Sequence, residues 1–128
     1  MKRSDRSAFT IAVVDDTDLA RYAAVKMLRA QGYKTVECAT GEEAQLLASG
    51  KPVSAVLLDV NLPDVNGVKV CEYIKKGPNP LPVVLMSAVY VDELHKGAAL
   101  DAGADAYLVS PLEPQELAAV FDRLLGVE

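Results

Sequence analysis

Three aspartates stand where apolar runs end: Asp15 and Asp16 after T-I-A-V-V, and Asp59 after S-A-V-L-L. Like charges about 4 Å apart repel by several kcal/mol at intermediate dielectric. A fold that brings these acids together must therefore share protons among them or hold a cation. No His or Cys accompanies them in sequence, and an oxygen-only donor set selects a hard ion, Mg²⁺. A carboxylate beside Mg²⁺ at an open strand end can attack phosphorus and form an acyl phosphate whose charge the ion helps neutralise. Asp59 is the candidate nucleophile, because it stands alone after its apolar run and is followed by V-N-L-P-D-V-N-G, a loop of turn formers in which Gly67 lets the chain pass into a helix. The backbone carbonyl of Asn61 offers a further oxygen ligand. The simpler alternative is that one or two of these acids cap the helices or turns that follow, and Asp18, just before L-A-R-Y, is read as such a cap.

The elements that must position these residues alternate along the chain. Strands are expected at Thr10 to Val14, Lys34 to Cys38, Ser54 to Leu58, Pro82 to Met86 and Ala106 to Val109. Helices are expected at Leu19 to Gln31, Glu42 to Ala48, Val68 to Lys75, Val91 to Ala102 and Pro114 to Leu125. The last is the clearest: Leu117, Val120, Phe121, Leu124 and Leu125 form one apolar stripe, with Pro114 at its first turn and Gly126 at its end. Gly32 and Gly103 fall where helices should stop in a left-handed residue, and Gly97 weakens the fourth helix. Runs such as S-A-V-L-L and P-V-V-L-M are apolar on both faces, so the sheet is parallel and covered on both sides. That is a doubly wound α/β fold, in which the first and third strands are neighbours and ligands bind beyond the carboxyl ends of the strands. Ser87 and Ser110 end the fourth and fifth strands, and Tyr107 lies on the fifth.

The chain's 128 residues fit one domain, and 51% hydrophobic with 24% charged residues is globular composition. No run approaches the ~18 apolar residues of a membrane helix. The start M-K-R-S-D-R-S lacks the apolar segment of a secretory signal, so a cytoplasmic location is expected. Cys38 and Cys71 lack metal or redox spacing and read as reduced, packed thiols. A net charge of -5 with scattered cations argues against direct nucleic-acid binding.

Four motifs in order, V-V-D-D, L-L-D-V-N-L-P-D-V-N-G, V-V-L-M-S-A and G-A-D-A-Y-L-V-S-P-L-E-P-Q-E-L, resemble the receiver domain of two-component response regulators. The resemblance runs from about Phe9 to the C-terminus, so residues 1–8 are taken as a polar extension and 9–128 as the domain. It implies a flavodoxin-like sheet of order 2-1-3-4-5. It further implies that Asp59 accepts a phosphoryl group from a histidine kinase or phosphotransfer protein, with Asp15, Asp16 and the Asn61 carbonyl organising Mg²⁺. Ser87 matches the hydroxyl that bonds the phosphoryl oxygen, and Tyr107 the aromatic that rotates inward with it; strand-end capping and core packing are their plainer readings. The implied partner surface, and a possible homodimer, use the fourth helix, fifth strand and fifth helix.

One position departs from the pattern. Ser110 stands where the family carries a lysine whose ammonium contacts the phosphoryl group, while the resemblance implies a cis Ser110–Pro111 bond before the last helix. A charge-assisted hydrogen bond is worth roughly 1.5–3 kcal/mol, so its loss weakens phosphoryl stabilisation or switching by about ten- to a hundredfold. Arg21, soon after the acidic pair, is a candidate substitute cation; a solvated helix residue is its plainer reading. D-V-N-L-P-D with a non-lysine before P-x-E-P is also similar to receivers attached to hybrid sensor kinases. His95, mid-helix in V-D-E-L-H-K-G, is read as a helix-face histidine. Two other readings compete: an interaction module that works without phosphorylation, and, remotely, a haloacid-dehalogenase-like phosphatase built on the D-x-D of Asp16, Thr17 and Asp18.

Overall fold

A computed structural model describes residues 5–50, 52–87 and 93–127. After a 3-10 turn at Arg6–Ala8 come β1 (Thr10–Val14), α1 (Asp18–Ala30), β2 (Lys34–Cys38), α2 (Gly41–Gly50), β3 (Ala55–Asp59), α3 (Gly67–Lys76), β4 (Val83–Ser87), α4 (Glu93–Asp101), β5 (Ala106–Val109) and α5 (Pro114–Leu125). All strand pairs are parallel, in the order β2-β1-β3-β4-β5. The expected doubly wound sheet is present.

The alternation of side chains along each strand sends neighbouring apolar residues to opposite layers. Ala12, Val14, Val56, Leu58, Val83 and Leu85 pack with Ala44 of α2, Val70 and Ile74 of α3 and Ala99 of α4. Ile11, Val13, Ala55, Leu57, Val84 and Met86 pack with Ala24 and Leu28 of α1 and with Leu117 and Phe121 of α5. Strands that read as uniformly apolar are thus two interleaved cores, which is why neither face shows polar alternation.

β3 and β4 sit one residue later than their apolar runs suggest, so that Asp59 and Ser87 are themselves the last strand residues. The ladder explains the shift, because the Val60 amide still bonds the Met86 carbonyl at 3.0 Å beyond the apolar run. α1 begins at Asp18, and its cap position is Thr17, which makes no side-chain cap bond. Asp18 is therefore not the cap expected from sequence. It is the first helical residue, and its side chain turns outward to Arg21.

At the other end of the chain, Glu113 caps α5 by accepting from the Gln115 amide at 2.6 Å, ahead of Pro114. Gly126 closes that helix in the left-handed conformation at φ 74°. The fourth helix is described from Glu93; the expected start at Val91 lies outside the described residues.

Candidate metal centre at the carboxyl edge of the sheet

Val14 of β1 is in register with Leu58 of β3, so the residues that follow, Asp15 and Asp59, leave the sheet side by side. One carboxylate oxygen from each of Asp15, Asp16 and Asp59 lies within 4.8 Å of the others. Asp15 is buried, Asp59 half-buried and Asp16 exposed. The acidic cluster expected from the strand ends is therefore assembled.

Each ligand candidate is held locally. The Asp15 amide donates to the Cys38 carbonyl at 3.1 Å, which extends the β1–β2 ladder by one residue. Its carboxylate Oδ1 accepts from the Thr17 amide at 2.9 Å and turns the chain toward α1. Asp59 Oδ1 accepts from the Asn61 amide at 3.0 Å, starting the loop that Asn61 and Asn66 close by an antiparallel bridge. The Gly67 amide bonds the Val60 carbonyl at 2.7 Å. A Cβ at Gly67 would collide with the Asp59 carbonyl and stand 2.8 Å from Val60 Cα, so the loop closes onto the strand end only because that residue has no side chain.

Electrostatics follow from this crowding. Burial, and then the negative charges of Asp15 and Asp16 together with a hydrogen bond to Asp15, push Asp59 up to about 6 against the Asn61 amide, which pulls it down. Oxygens around Mg²⁺ stand about 3–4 Å apart at its usual bond length, and the three carboxylate oxygens lie within 4.8 Å of one another. The donors are all oxygen, and their mutual repulsion is what a divalent cation relieves. The residues present fit Mg²⁺.

Ser87, 3% exposed, ends β4 beside this cluster, since Asp59 and Met86 are register partners. Tyr107 shares a side-chain hydrogen bond with Ser87. Its phenol is pushed above its ordinary value by burial and by the charge of Asp59, against the lowering effect of that bond. Asp59, Ser87 and Tyr107 thus form one electrostatic neighbourhood. Ser110 is exposed, its amide donates to the Ser87 carbonyl at 2.8 Å, and the Ser110–Pro111 bond is cis.

Arg21 does not serve as a cation on the carboxylate cluster. Its Nη1 donates to the backbone carbonyl of Asp15 at 2.7 Å, Nη2 to Asp18 at 2.7 Å and Nε to Glu37 at 3.0 Å. The Asp18 side chain is 94% exposed, so the D-x-D stretch does not converge as a phosphatase would need. His95 falls in α4, and its side chain lies outside the described residues. Cys38 and Cys71 are buried thiols without a disulfide.

One contact the sequence did not disclose is Asp64. It reads as a turn former, yet its carboxylate caps α2 by accepting from the amides of Gly41 and Glu42 at 2.9 and 3.0 Å. The only signal was an acid in a loop that must cross a helix start.

The sequence model described as "Response regulator receiver domain" matches residues 11–122. The chain is 38% identical over 117 residues to the response regulator MprA of Mycolicibacterium vanbaalenii, covering 90% of this chain and 49% of that protein. It is 31% identical to a probable transcriptional regulator, ycf27, of Cyanidium caldarium, covering 90% of this chain and 45% of that protein. The chain thus spans about half the length of these relatives. Among solved structures, the receiver domain of a sensor histidine kinase from Pseudomonas aeruginosa, with a magnesium ion coordinated in its active site cleft, superposes with a TM-score of 0.84 at 27% identity, covering 92% of this chain and 98% of that one. A CheY-like receiver domain protein from Methanospirillum hungatei gives a TM-score of 0.85 at 25% identity, covering 92% and 94%.

Proposed function

Because the chain belongs to the response regulator receiver domain family of two-component signalling, we propose that Asp59 is its phosphoacceptor, with Asp15, Asp16, Asp59 and the Asn61 carbonyl as the Mg²⁺ ligands. The observation that carries this reading is the convergence of three carboxylates at the carboxyl edge of the sheet, with Asp59 between the acidic pair and Ser87. With a value near 6, Asp59 is mainly the nucleophilic carboxylate at neutral pH.

In the proposed transfer, an Asp59 oxygen forms a bond to phosphorus as the phosphorus–nitrogen bond of a kinase or phosphotransfer-protein phosphohistidine breaks. The electron pair stays with the departing imidazole. Asp15, Asp16, Asp59 and the Asn61 carbonyl would hold Mg²⁺, which would supply neutralisation of the phosphoryl charge. Ser87 offers its hydroxyl to a phosphoryl oxygen, and Tyr107, already bonded to Ser87, reports that engagement to the outer face. The partner surface of this reading is α4, β5 and α5, where Leu100 and Val109 are 67% and 44% exposed. The same face would serve a homodimer.

A cytoplasmic setting belongs to this proposal; among the described residues no helix is long and apolar enough to cross a membrane. The domain's negative charge leaves nucleic-acid contact to other parts of any longer protein, and relatives named as transcriptional regulators are about twice its length.

The test is intact-protein mass after treatment with acetyl phosphate and Mg²⁺. Wild type gains one phosphoryl group and Asp59→Asn gains none; an equal gain in both, or none in either, sinks the proposal. Ser110 favours a second reading, an interaction module that ignores phosphorylation. That module predicts unchanged amide spectra on adding beryllofluoride and Mg²⁺, where a phospho-switch shifts Ser87, Tyr107 and α4.

A further inference from the structure

The geometry points to Arg21 as the positioning residue of the acidic site: by gripping the peptide that joins Asp15 to Asp16, its guanidinium sets the direction of both carboxylates. The inference rests on the Mg²⁺ site proposed above. The carbonyl that Nη1 holds at 2.7 Å is that of Asp15, and a peptide unit is planar. Fixing this carbonyl fixes the torsion that aims the Asp15 side chain on one side and the torsion that aims Asp16 on the other. Three bonds then immobilise the turn, since the Asp15 amide is held by Cys38 and its carboxylate by the Thr17 amide.

The fork needs its own anchors, and these come from two elements. Nε reaches Glu37 on β2 at 3.0 Å, and Nη2 reaches Asp18 at the start of α1 at 2.7 Å. Arg21 therefore ties the β1–α1 turn to a neighbouring strand and to the helix that follows. Its side chain is 16% exposed, and it shares the α1 face on which Ala24, Val25 and Leu28 are buried. Its charge is offset by those two carboxylates, so its effect at the site is geometric. A lysine keeps the charge but cannot span three acceptors in a fixed plane.

A purely electrostatic role and a positioning role predict opposite signs. A bare cation near a Mg²⁺ site repels the ion, so neutralising it tightens binding. Loss of a supporting contact behind metal ligands loosens binding, by about ten- to a hundredfold.

The experiment titrates Mg²⁺ calorimetrically into wild type, Arg21→Lys and Arg21→Met, with folding confirmed by circular dichroism. The expected result is about tenfold or more weaker binding in both variants. In acetyl phosphate reactions, the Mg²⁺ concentration for half-maximal rate rises while the rate at saturating Mg²⁺ stays near wild type. In metal-free protein, the Thr17 amide exchanges faster in Arg21→Lys.

Wild-type affinity in Arg21→Lys, tighter binding in Arg21→Met, or unchanged Thr17 exchange each overturns the role of Arg21 and leaves the metal site standing. No Mg²⁺ binding by wild type overturns the site itself.

Discussion

Arg6 grips Asp122 with both arms of its guanidinium, Nε to Oδ1 at 2.9 Å and Nη2 to Oδ2 at 2.6 Å, and so joins the first described turn to the last helix. Tyr33 donates to the same carboxylate at 2.6 Å, and Arg6 Nη1 bonds the Gln31 carbonyl at 2.8 Å. Residues 1–8 read as a polar extension, yet Arg6 within them is a cross-link between α5 and the α1–β2 turn. Bidentate, charge-assisted pairs are among the stronger hydrogen bonds. Arg6→Ala is expected to lower unfolding free energy by about 1–2 kcal/mol, and a double-mutant cycle with Asp122→Asn should show positive coupling. Additive effects in urea melts would refute the cross-link.

Asp59 makes stability depend on pH in an unusual direction for a carboxylate. Its folded value, about 6, lies above its ordinary 3.8, so the fold favours the protonated acid. The stability it contributes is full below about pH 4 and is lost as pH rises through about 6. The shift corresponds to roughly 3 kcal/mol unscreened, and screening at a half-exposed group leaves on the order of 1–2 kcal/mol. Asp59→Asn should therefore raise the melting temperature at pH 7 without divalent ions, and the gain should vanish near pH 4. Mg²⁺ should stabilise wild type more than the variant. An identical pH profile for the two proteins would remove the repulsion argument.

Gly67 lets the β3–α3 loop lie against the strand end. Gly67→Ala places a methyl on the Asp59 carbonyl and Val60 Cα, and backbone must move. A cost of about 1–3 kcal/mol is expected, together with weaker Mg²⁺ binding because Asp59 is displaced. Calorimetry and thermal melts on one sample read both; loss of stability with unaltered Mg²⁺ affinity would show that the displacement does not reach the carboxylate.

Asp64 couples the same loop to α2. The Gly41 amide, first, and the Glu42 amide hold its carboxyl below the usual carboxylate range. Its support is present above the ordinary value and is lost as pH falls through the depressed one. Asp64→Ala should speed hydrogen exchange at Gly41 and Glu42 and lower the melting temperature at neutral pH, the difference closing in acid. Unchanged exchange at both amides would deny the cap.

Ser110 is exposed at the end of β5 and leaves room for a longer side chain. Ser110→Lys should tighten beryllofluoride binding in the presence of Mg²⁺ by about ten- to a hundredfold and enlarge the amide shifts at Ser87 and Tyr107. Equal binding in the two proteins would mean that Mg²⁺ alone meets the charge requirement.

Sequence by itself determined the layered fold and the strand-end acids. Five short strand runs separated by helical stripes admit few arrangements, because the central apolar runs must bury both faces and each stripe must cover one. The positions of Asp15, Asp16 and Asp59 follow from where those runs end, and Gly32, Gly103 and Gly126 adopt positive φ where helices stop. What only the tertiary structure decided are the directions of polar side chains. Arg21 chose a backbone carbonyl over the acidic cluster, Asp18 turned out to solvent, Asp64 crossed to another helix, and Arg6 reached Asp122. Periodic burial is encoded locally, every second or every third to fourth residue. A long or charged side chain selects among acceptors that converge only after distant segments have packed, and no spacing along the chain records that choice.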